Sequence, residues 1–292
     1  MAPTVSLIVN PAAGGGHAAK VQPQVERALA ALGMTFHSAQ TRDIEHARVL
    51  ARAAAAAGEV AVTLGGDGLV GAVAGEMEKM GGILGILPGG RGNDLARVLG
   101  IPADPDAACR VLAAGHHRAM DIGSVDGRWF VGIASAGFDS DANRIANETT
   151  LIRGNAVYAY AALRALAAWT PARFDLELDG RERLSYMGYS VVCANSKAYG
   201  GGMFVAPDAE LDDGLLDIVM TGRVSKRRFL LNLPKVFEGE HVNEAGVAVR
   251  RAAEVHVAAD RPFTMYADGD PIAELPVTVR VHHRALRVIA PA

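Results

Sequence analysis

The stretch from Val60 to Leu69, Val-Ala-Val-Thr-Leu-Gly-Gly-Asp-Gly-Leu, decides the fold. Val60 to Leu64 is a short apolar run rich in β-branched residues, which predicts a buried strand. The glycines after it predict a tight turn, and Leu69 begins a helical pattern that extends to Met80. A strand, a glycine turn and a helix in this order are typical of phosphate-binding loops, because glycines let backbone N–H groups approach an anion at a helix N-terminus.

Short strands and amphipathic helices alternate on both sides of this stretch. Further strands are predicted at Val5 to Val9, Phe36 to Thr41 and Ile83 to Leu87. Helices are predicted from apolar residues at helical spacing up to Gly33, and across Arg48 to Ala57, Asp94 to Leu99 and Ala107 to Ala114. Repeated strand and helix units predict a mainly parallel sheet with helices on both faces.

The pattern changes after Asp121, where Asp-Gly dipeptides separate β-type runs. They stand at residues 126–127, 179–180 and 268–269, and each predicts a hairpin. The second half is therefore predicted to be antiparallel, with helical insertions at Asn155 to Ala168 and Ser225 to Phe237. The sequence predicts an α/β fold: a parallel-sheet domain in residues 1–122, then a β-rich, sandwich-like domain in residues 123–284. The final run, residues 285–292, could return to the first sheet.

Length and composition limit the class of protein. The chain has 292 residues, about twice the commonest domain size, which favours two domains. Its 29 basic and 32 acidic residues give a net charge of -3, which argues against nucleic acid as a partner. Cys109 and Cys193 lie in apolar stretches, so we expect no disulfide framework and a reducing compartment. Because there is neither an apolar run of about 18 residues nor a leader sequence, we expect a cytoplasmic protein.

Three glycine-rich loops follow predicted strands of the first domain. They are Asn10 to Gly16, Gly65 to Gly68 and Pro88 to Asp94. In a parallel sheet all three would lie at the carboxyl ends of the strands, which is where open α/β sheets bind ligands. Three convergent loops favour a phosphate-bearing ligand over packing alone.

A dehydrogenase is the first alternative, because residues 66–71 also satisfy the dinucleotide-binding pattern GxGxxG. That interpretation requires an acidic residue at the end of the next strand, yet this strand ends in Pro88, Gly89 and Gly90. It also leaves Asp67 facing a pyrophosphate without a reason. An acid beside phosphates is expected when a divalent cation lies between them, as in phosphoryl transfer.

Seven motifs spread over almost the whole chain together resemble one family. They are Asn10-Pro11 with its glycines, Gly65-Gly66-Asp67-Gly68, Pro88-x-Gly90-x-x-Asn93-Asp94, Gly137-Phe138-Asp139, Tyr199-Gly200-Gly201-Gly202, Asp212-Asp213-Gly214-Leu215-Leu216-Asp217 and Asp268-Gly269-Asp270. In this order they resemble the diacylglycerol kinase catalytic-domain family, and bacterial soluble lipid kinases in particular. NAD kinases share the second motif but lack the third, which is the most specific.

The resemblance implies a kinase that uses ATP and Mg²⁺ to phosphorylate a lipid hydroxyl, of diacylglycerol or a related glycerolipid, with the active site in the cleft between the two domains. Carried over residue by residue, the nucleotide contacts are Asn10, Thr41, Gly65, Gly66, Asp67, Gly68, Gly71, Gly90, Arg91 and Asn93. The implied catalytic residues are Asp67, Asp270 as the base for the lipid hydroxyl, and Asp268 as its orienting partner. A structural Mg²⁺ would be held by the Asp213 side chain and the carbonyls of Glu210 and Leu215. From the residues alone, ordinary turns explain both acidic segments.

The chain departs from the family pattern at four positions. Leu69, Gly71 and Ala72 stand where the family commonly has Thr, Asn and Glu, and Arg91 replaces a threonine. Because a guanidinium can pair bidentately with phosphate, Arg91 can compensate for the lost contacts. Altered or lost catalysis is the alternative.

Several other interpretations stay open at this point. Basic and apolar residues alternate in the segment 223–237. Such a segment fits peripheral docking on an anionic membrane, and it also fits an ordinary surface helix with one buried face. The nine histidines show no metal-ligand spacing and are predicted to lie at the surface. Rival functions are an NAD or sugar kinase, a dehydrogenase, and a non-catalytic relative that binds nucleotide or lipid. A homodimer also stays open.

Overall fold

The computed structural model describes residues 4–149 and 156–292. The chain forms two compact units, each described here by itself. The first unit comprises Met1–Ile122, Trp129–Val131 and His283–Ala292. The second unit comprises Gly123–Arg128 and Gly132–His282.

Four parallel strands form the sheet of the first unit. They are β1 Val5–Val9, β2 Phe36–Gln40, β3 Val60–Gly65 and β4 Ile83–Pro88, in the order β4-β3-β1-β2. Every residue of β1 and β3 is buried, as expected of parallel strands covered on both faces. Near the end of the chain, Arg287 and Val288 pair in parallel with the start of β4, so the closing run joins this sheet.

Five helices accompany these strands. They are α1 Ala13–Ala31, α2 Ile44–Ala56, α3 Asp67–Met80, α4 Asp94–Val98 and α5 Pro105–Ala114. Local chemistry fixes several ends: the side chain of Asp43 accepts the N–H of His46 at 2.7 Å at the start of α2. Gly81 ends α3 in the left-handed conformation that favours glycine. The predicted alternation of strands and helices is confirmed.

The second unit is mainly antiparallel. The strands after β4 are β5 His117–Val125, β6 Arg128–Phe130, β7 Ile133–Gly137, β8 Ala172–Leu178, β9 Glu182–Ala194, β10 Leu216–Gly222, β11 Val247–Ala252, β12 Glu254–Ala259, β13 Thr264–Ala267, β14 Asp270–Glu274 and β15 Val277–Ile289. Most of β5 and β6 and the end of β15 belong to the first unit, and the other strands belong to the second. The first half of β9 pairs with β8, and its second half with β7 and β10. The parallel first sheet and the antiparallel second half confirm the predicted fold class.

The Asp-Gly dipeptides occupy the turns that the sequence predicts. Both residues have positive φ at 126–127 (46° and 80°), at 179–180 (49° and 64°) and at 268–269 (50° and 93°). Positive φ at two successive residues is the requirement of a type I′ hairpin turn, which Asp-Gly satisfies at low cost.

The helices of the second unit correct the sequence prediction. α7 Ala156–Ala168 was expected, although Asn155 lies outside the described residues. In the segment 225–237, only α8 Lys226–Asn232 is α-helical, and a 3₁₀ helix, Leu233–Glu238, follows it. α6 Phe138–Glu148 was not predicted at all. Its Asp, Asn and Ser residues suggest a loop, yet the Ser140 hydroxyl accepts the N–H of Gly137 at 3.0 Å and stabilises the first turn.

Within residues 4–149 and 156–292, no helix combines the length and the apolar character needed to span a bilayer.

Candidate functional site

The three glycine loops of the first unit meet at the carboxyl ends of β1, β3 and β4. The N–H of Gly89 donates to the carbonyl of Gly65 at 2.8 Å. A methyl group on Gly90 would lie 2.4 Å from the Cα of Gly66, and one on Gly14 would lie 2.7 Å from the carbonyl oxygen of Gly89. The loop after β4 therefore contacts both other loops, and the close approach of backbone to backbone requires glycine.

Asp67 links two of these loops. As the first residue of α3 it has a half-buried side chain, whose Oδ1 accepts the N–H of Leu95 at 3.2 Å. The N–H of Asp94 also donates to this carboxylate, so Asp67 caps the start of α4. Burial, and then the charge of Asp94, raise the pKa of Asp67 above its ordinary value. The carboxylate is thus held where further positive charge would stabilise it.

Asn93 shapes the loop that carries Arg91. It has a left-handed backbone with φ of 51°, its Oδ1 accepts the N–H of Gly90 at 2.8 Å, and its Nδ2 donates to the Gly90 carbonyl at 3.1 Å. The Asn93 side chain therefore stabilises the loop to which it belongs, and the Arg91 side chain is exposed. At the neighbouring strand ends, the Asn10 Oδ1 accepts the N–H of Ala12 at 3.1 Å, and the Thr41 N–H donates to the carbonyl of Val9 at 2.7 Å.

Three of the four departures from the family pattern, Leu69, Gly71 and Ala72, lie in α3, whereas the fourth, Arg91, lies in the loop after β4 and is exposed. Leu69 is buried, and its Cδ2 would lie 2.7 Å from a methyl group on Gly65. Gly71 is buried in the second turn of the helix. Leu69 therefore fills space beside the glycine loop, and the assignment of Gly71 as a nucleotide contact stays a prediction.

The acidic turn before β10 has its own charge partner. The N–H of Leu215 donates to Asp213 Oδ1 at 2.9 Å, and Arg251 forms an ion pair with Asp213. Burial, followed by the charges of Asp208 and Glu210, raises the pKa of Asp217 to about 6. No group of three or more His, Cys, Asp or Glu side chains with metal-binding geometry occurs in the part of the chain that the structure describes.

Asp268 and Asp270 occupy different parts of a hairpin. Asp268 lies in the turn between β13 and β14, and its Oδ1 accepts the N–H groups of Gly132 at 2.9 Å and Ile133 at 3.1 Å. Asp270 begins β14 and is exposed, although partial desolvation raises its pKa above the ordinary value. Asp268 thus has a structural contact that sequence reasoning missed, and Asp270 has the more accessible carboxylate.

An apolar cavity in the second unit was not predicted. It has a volume of about 90 Å³, and its wall includes Phe138, Met203, Val219, Phe229, Leu233 and Val236. The cavity brings together residues from β9, β10 and α8 that are far apart in the sequence, so no local pattern reveals it.

Two titratable groups face this cavity. Asp139 accepts a hydrogen bond from Ser190, and burial raises its pKa to about 6. His241 is buried, which corrects the prediction that all histidines lie at the surface. Its Nε2 donates to the carbonyl of Val205 at 3.1 Å, while burial lowers its pKa. Both shifts favour neutral forms, which suit an apolar ligand.

An α/β unit with three glycine loops at one sheet edge, followed by a β-rich unit, defines a class of two-part proteins whose sheet edge is suited to ligand binding. Comparison with known families identifies the class. Residues 4–125 match the model of the diacylglycerol kinase catalytic domain, and residues 132–290 match the model of the YegS C-terminal NAD kinase beta sandwich-like domain. The chain belongs to the diacylglycerol kinase catalytic-domain family, which confirms the resemblance of its motifs.

Individual relatives agree with this family. A diacylglycerol kinase from Mycobacterium tuberculosis is 35% identical over 98% of this chain and 95% of its own length. The structure of a diacylglycerol kinase from Bacillus anthracis has a TM-score of 0.78 at 22% identity, covering 99% of this chain and 97% of that one. An NAD kinase from Archaeoglobus fulgidus, solved with ATP, has a TM-score of 0.51 at 12% identity, covering 98% of this chain and 93% of its own. The last two show similarity of fold.

Proposed function

We propose that this protein is a lipid kinase that transfers the γ-phosphoryl group of ATP to the hydroxyl of diacylglycerol or a related glycerolipid. The observation that carries the proposal is the convergence of three glycine loops around Asp67 at one sheet edge. The named relatives support a lipid acceptor, and the NAD kinase solved with ATP supports the choice of nucleotide.

In this proposal the loops of the first unit bind the nucleotide. Their N–H groups and the N-terminus of α3 would face the phosphates, and Arg91 would add a charge-assisted contact. Asp67 would hold Mg²⁺, which when bound neutralises negative charge on the phosphates. The residues fit such an ion, because the Asp67 carboxylate lies near Asp94, and burial, followed by the charge of Asp94, raises the pKa of Asp67. Arg97 pairs with Asp94 at 2.6 Å, so Asp67 would be the principal ligand.

Asp270 is the proposed base for the acceptor. An alcohol is a weak nucleophile, so a carboxylate within hydrogen-bond reach orients it and takes its proton as the oxygen bonds to the γ-phosphorus and ADP leaves. Desolvation raises the pKa of Asp270, which makes it a better proton acceptor than an ordinary aspartate. Asp268 would act indirectly, since it fixes the turn on which Asp270 lies.

The apolar cavity is the proposed site for an acyl chain. Its apolar wall suits a hydrocarbon, while Asp139 and Ser190 provide the polar groups that fix orientation. We also propose that Asp213, with the carbonyls of Glu210 and Leu215, holds a structural Mg²⁺. Hard cations prefer carboxylate and carbonyl oxygens, so the ion would take the place of the Arg251 guanidinium, which pairs with Asp213 and lies 3.8 Å from Asp217 Oδ2.

The test is phosphorylation by radiolabelled ATP with Mg²⁺, using diacylglycerol, monoacylglycerol, phosphatidylglycerol, a sphingoid base and NAD as acceptors. We expect a phosphorylated glycerolipid. We expect Asp67→Asn to abolish turnover and to keep the fold, because an amide oxygen can still accept the Leu95 N–H. Asp260→Asn, a change at an exposed aspartate, is the matched control. Phosphorylation of NAD alone, or normal turnover by Asp67→Asn, would overturn the proposal.

A further inference from the structure

The segment from α8 to the end of the following 3₁₀ helix, residues 226–238, has two different faces. Its inner face lines the apolar cavity through Phe229, Leu233 and Val236. The Phe229 ring lies 4.3 Å from the Tyr189 ring, stacked, and 4.7 Å from the Phe138 ring, both measured between centroids. These aromatic contacts hold the segment against the second unit.

Three large apolar side chains of the same segment are exposed. Leu230 is 43% exposed, Leu231 64% and Phe237 53%, and neither helix contains a buried residue. A single exposed leucine is ordinary, but three large apolar side chains within eight residues form a patch of the kind that marks an interaction surface.

Basic residues precede this patch along the chain. Residues 223–238 contain five basic residues and one acidic residue, in a chain whose net charge is -3. Arg228 and Lys235 form ion pairs with Glu244, whereas Lys226 and Arg227 are exposed at the start of α8. The Lys226 Nζ donates to the carbonyl of Ala167 at the end of α7, which leaves Arg227 beside the patch as an exposed charge.

We propose that residues 223–238 dock the protein on an anionic phospholipid bilayer. Leu230, Leu231 and Phe237 insert among the acyl chains, and the basic side chains of the segment contact the headgroups. The combination of basic charge and bulky apolar side chains matches an anionic bilayer better than a protein surface. Because the inner face of the segment lines the cavity, docking brings that cavity to the membrane. This last consequence rests on the proposed function, whereas docking itself does not.

The test is co-sedimentation of the full chain with phosphatidylcholine vesicles that contain phosphatidylserine as the anionic lipid, without ATP or acceptor lipid. We expect Leu231→Glu to lower the partition coefficient by about ten-fold, because it replaces an inserted side chain with a charge that anionic lipid repels. Val49→Glu is the matched control, since Val49 is 51% exposed on α2 of the first unit, and it should bind as wild type does. Lys226→Glu with Arg227→Glu should weaken binding most at low salt.

Equal binding by wild type and Leu231→Glu, or no binding by wild type, would overturn the proposal. So would a wild-type dimer that Leu231→Glu converts to a monomer while neither protein binds vesicles, because the patch would then contact a second copy. Thermal unfolding and ATP affinity should be unchanged in Leu231→Glu. Because the vesicles contain no substrate, failure of the proposed kinase activity would not alter these results.

Discussion

Replacing Gly90 with alanine tests whether the glycine loops are packed as closely as the structure shows. The new methyl carbon would lie 2.4 Å from the Cα of Gly66, 3.1 Å from its nitrogen and 3.0 Å from the Oδ1 of Asn93. Ordinary contact begins near 3.4 Å, so the methyl group is one ångström too close to the backbone of the neighbouring loop. Gly90 does not have positive φ, so steric overlap alone is introduced.

Two effects of different size are expected. Overpacking of this kind costs about 1–3 kcal/mol of stability when no flexible side chain can yield. A displacement of about 1 Å in groups that position phosphates lowers the catalytic rate by about 10²-fold. We therefore expect a modest loss of stability and a much larger loss of kcat/KM for ATP.

The assays are urea unfolding and steady-state kinetics, together with a nucleotide titration. Gly66→Ala is the control for stability, because its methyl carbon would lie 3.4 Å from the Gly90 Cα, an ordinary contact, and it should unfold within about 0.5 kcal/mol of wild type. If Gly90→Ala unfolded at the wild-type urea concentration and bound ATP equally well, the loops would have room for a side chain and the close-packing argument would be wrong.

Three further predictions concern single carboxylates and Arg91. Burial raises the pKa of Asp139 to about 6 from 3.8, so its ionisation destabilises the folded protein as pH rises from about 4 to above 6. Because one pKa unit corresponds to about 1.4 kcal/mol, the stability of Asp139→Asn relative to wild type should rise by about 3 kcal/mol over that range, measured by urea unfolding at each pH. Asp268→Ala should lose about 1–3 kcal/mol of stability, because two backbone N–H groups lose their acceptor. Asp270→Asn should keep its stability and lose turnover. If Asp268→Asn were inactive and Asp270→Asn active, the two roles would have to be exchanged. Arg91→Ala should weaken ATP binding about ten-fold. Arg91→Thr should weaken it less, because a hydroxyl can still donate to phosphate. If both variants bound ATP as wild type does, Arg91 would be an ordinary surface residue.

Local patterns predicted the framework well. β1 and β3 are apolar runs with glycine-rich ends, and burial on both faces makes such runs distinct in the sequence. The hairpin at residues 179–180 was equally clear, because Asp-Gly tolerates the positive φ of its turn. α6 was missed because its polar residues resemble a loop and its start depends on Ser140 accepting a single backbone N–H.

The site was predictable only in part, because its contacts join residues far apart in the chain. The three loops could be placed at one sheet edge from their positions after strands. The bond between Asp67 and the Leu95 N–H, 28 residues away, could not, nor could the cavity shared by Asp139, Phe229 and His241. Such contacts depend on how helices pack, which strand order alone does not determine.

In these loops the aspartate, rather than the glycines, is the stronger evidence for a bound ligand. Several of their glycines are needed because the loops pack closely: Gly90 lies against Gly66, and Gly14 lies against the carbonyl of Gly89, so a side chain at either position would overlap the neighbouring loop. Packing therefore explains these glycines without any ligand. Capping of α4 explains an acceptor at position 67, but Asn or Ser would accept the same N–H groups without charge. A buried carboxylate beside Asp94 is costlier, because burial and then the charge of Asp94 raise the pKa of Asp67. The charge itself therefore needs a reason, and phosphates bound through a divalent cation, as proposed above, would provide one.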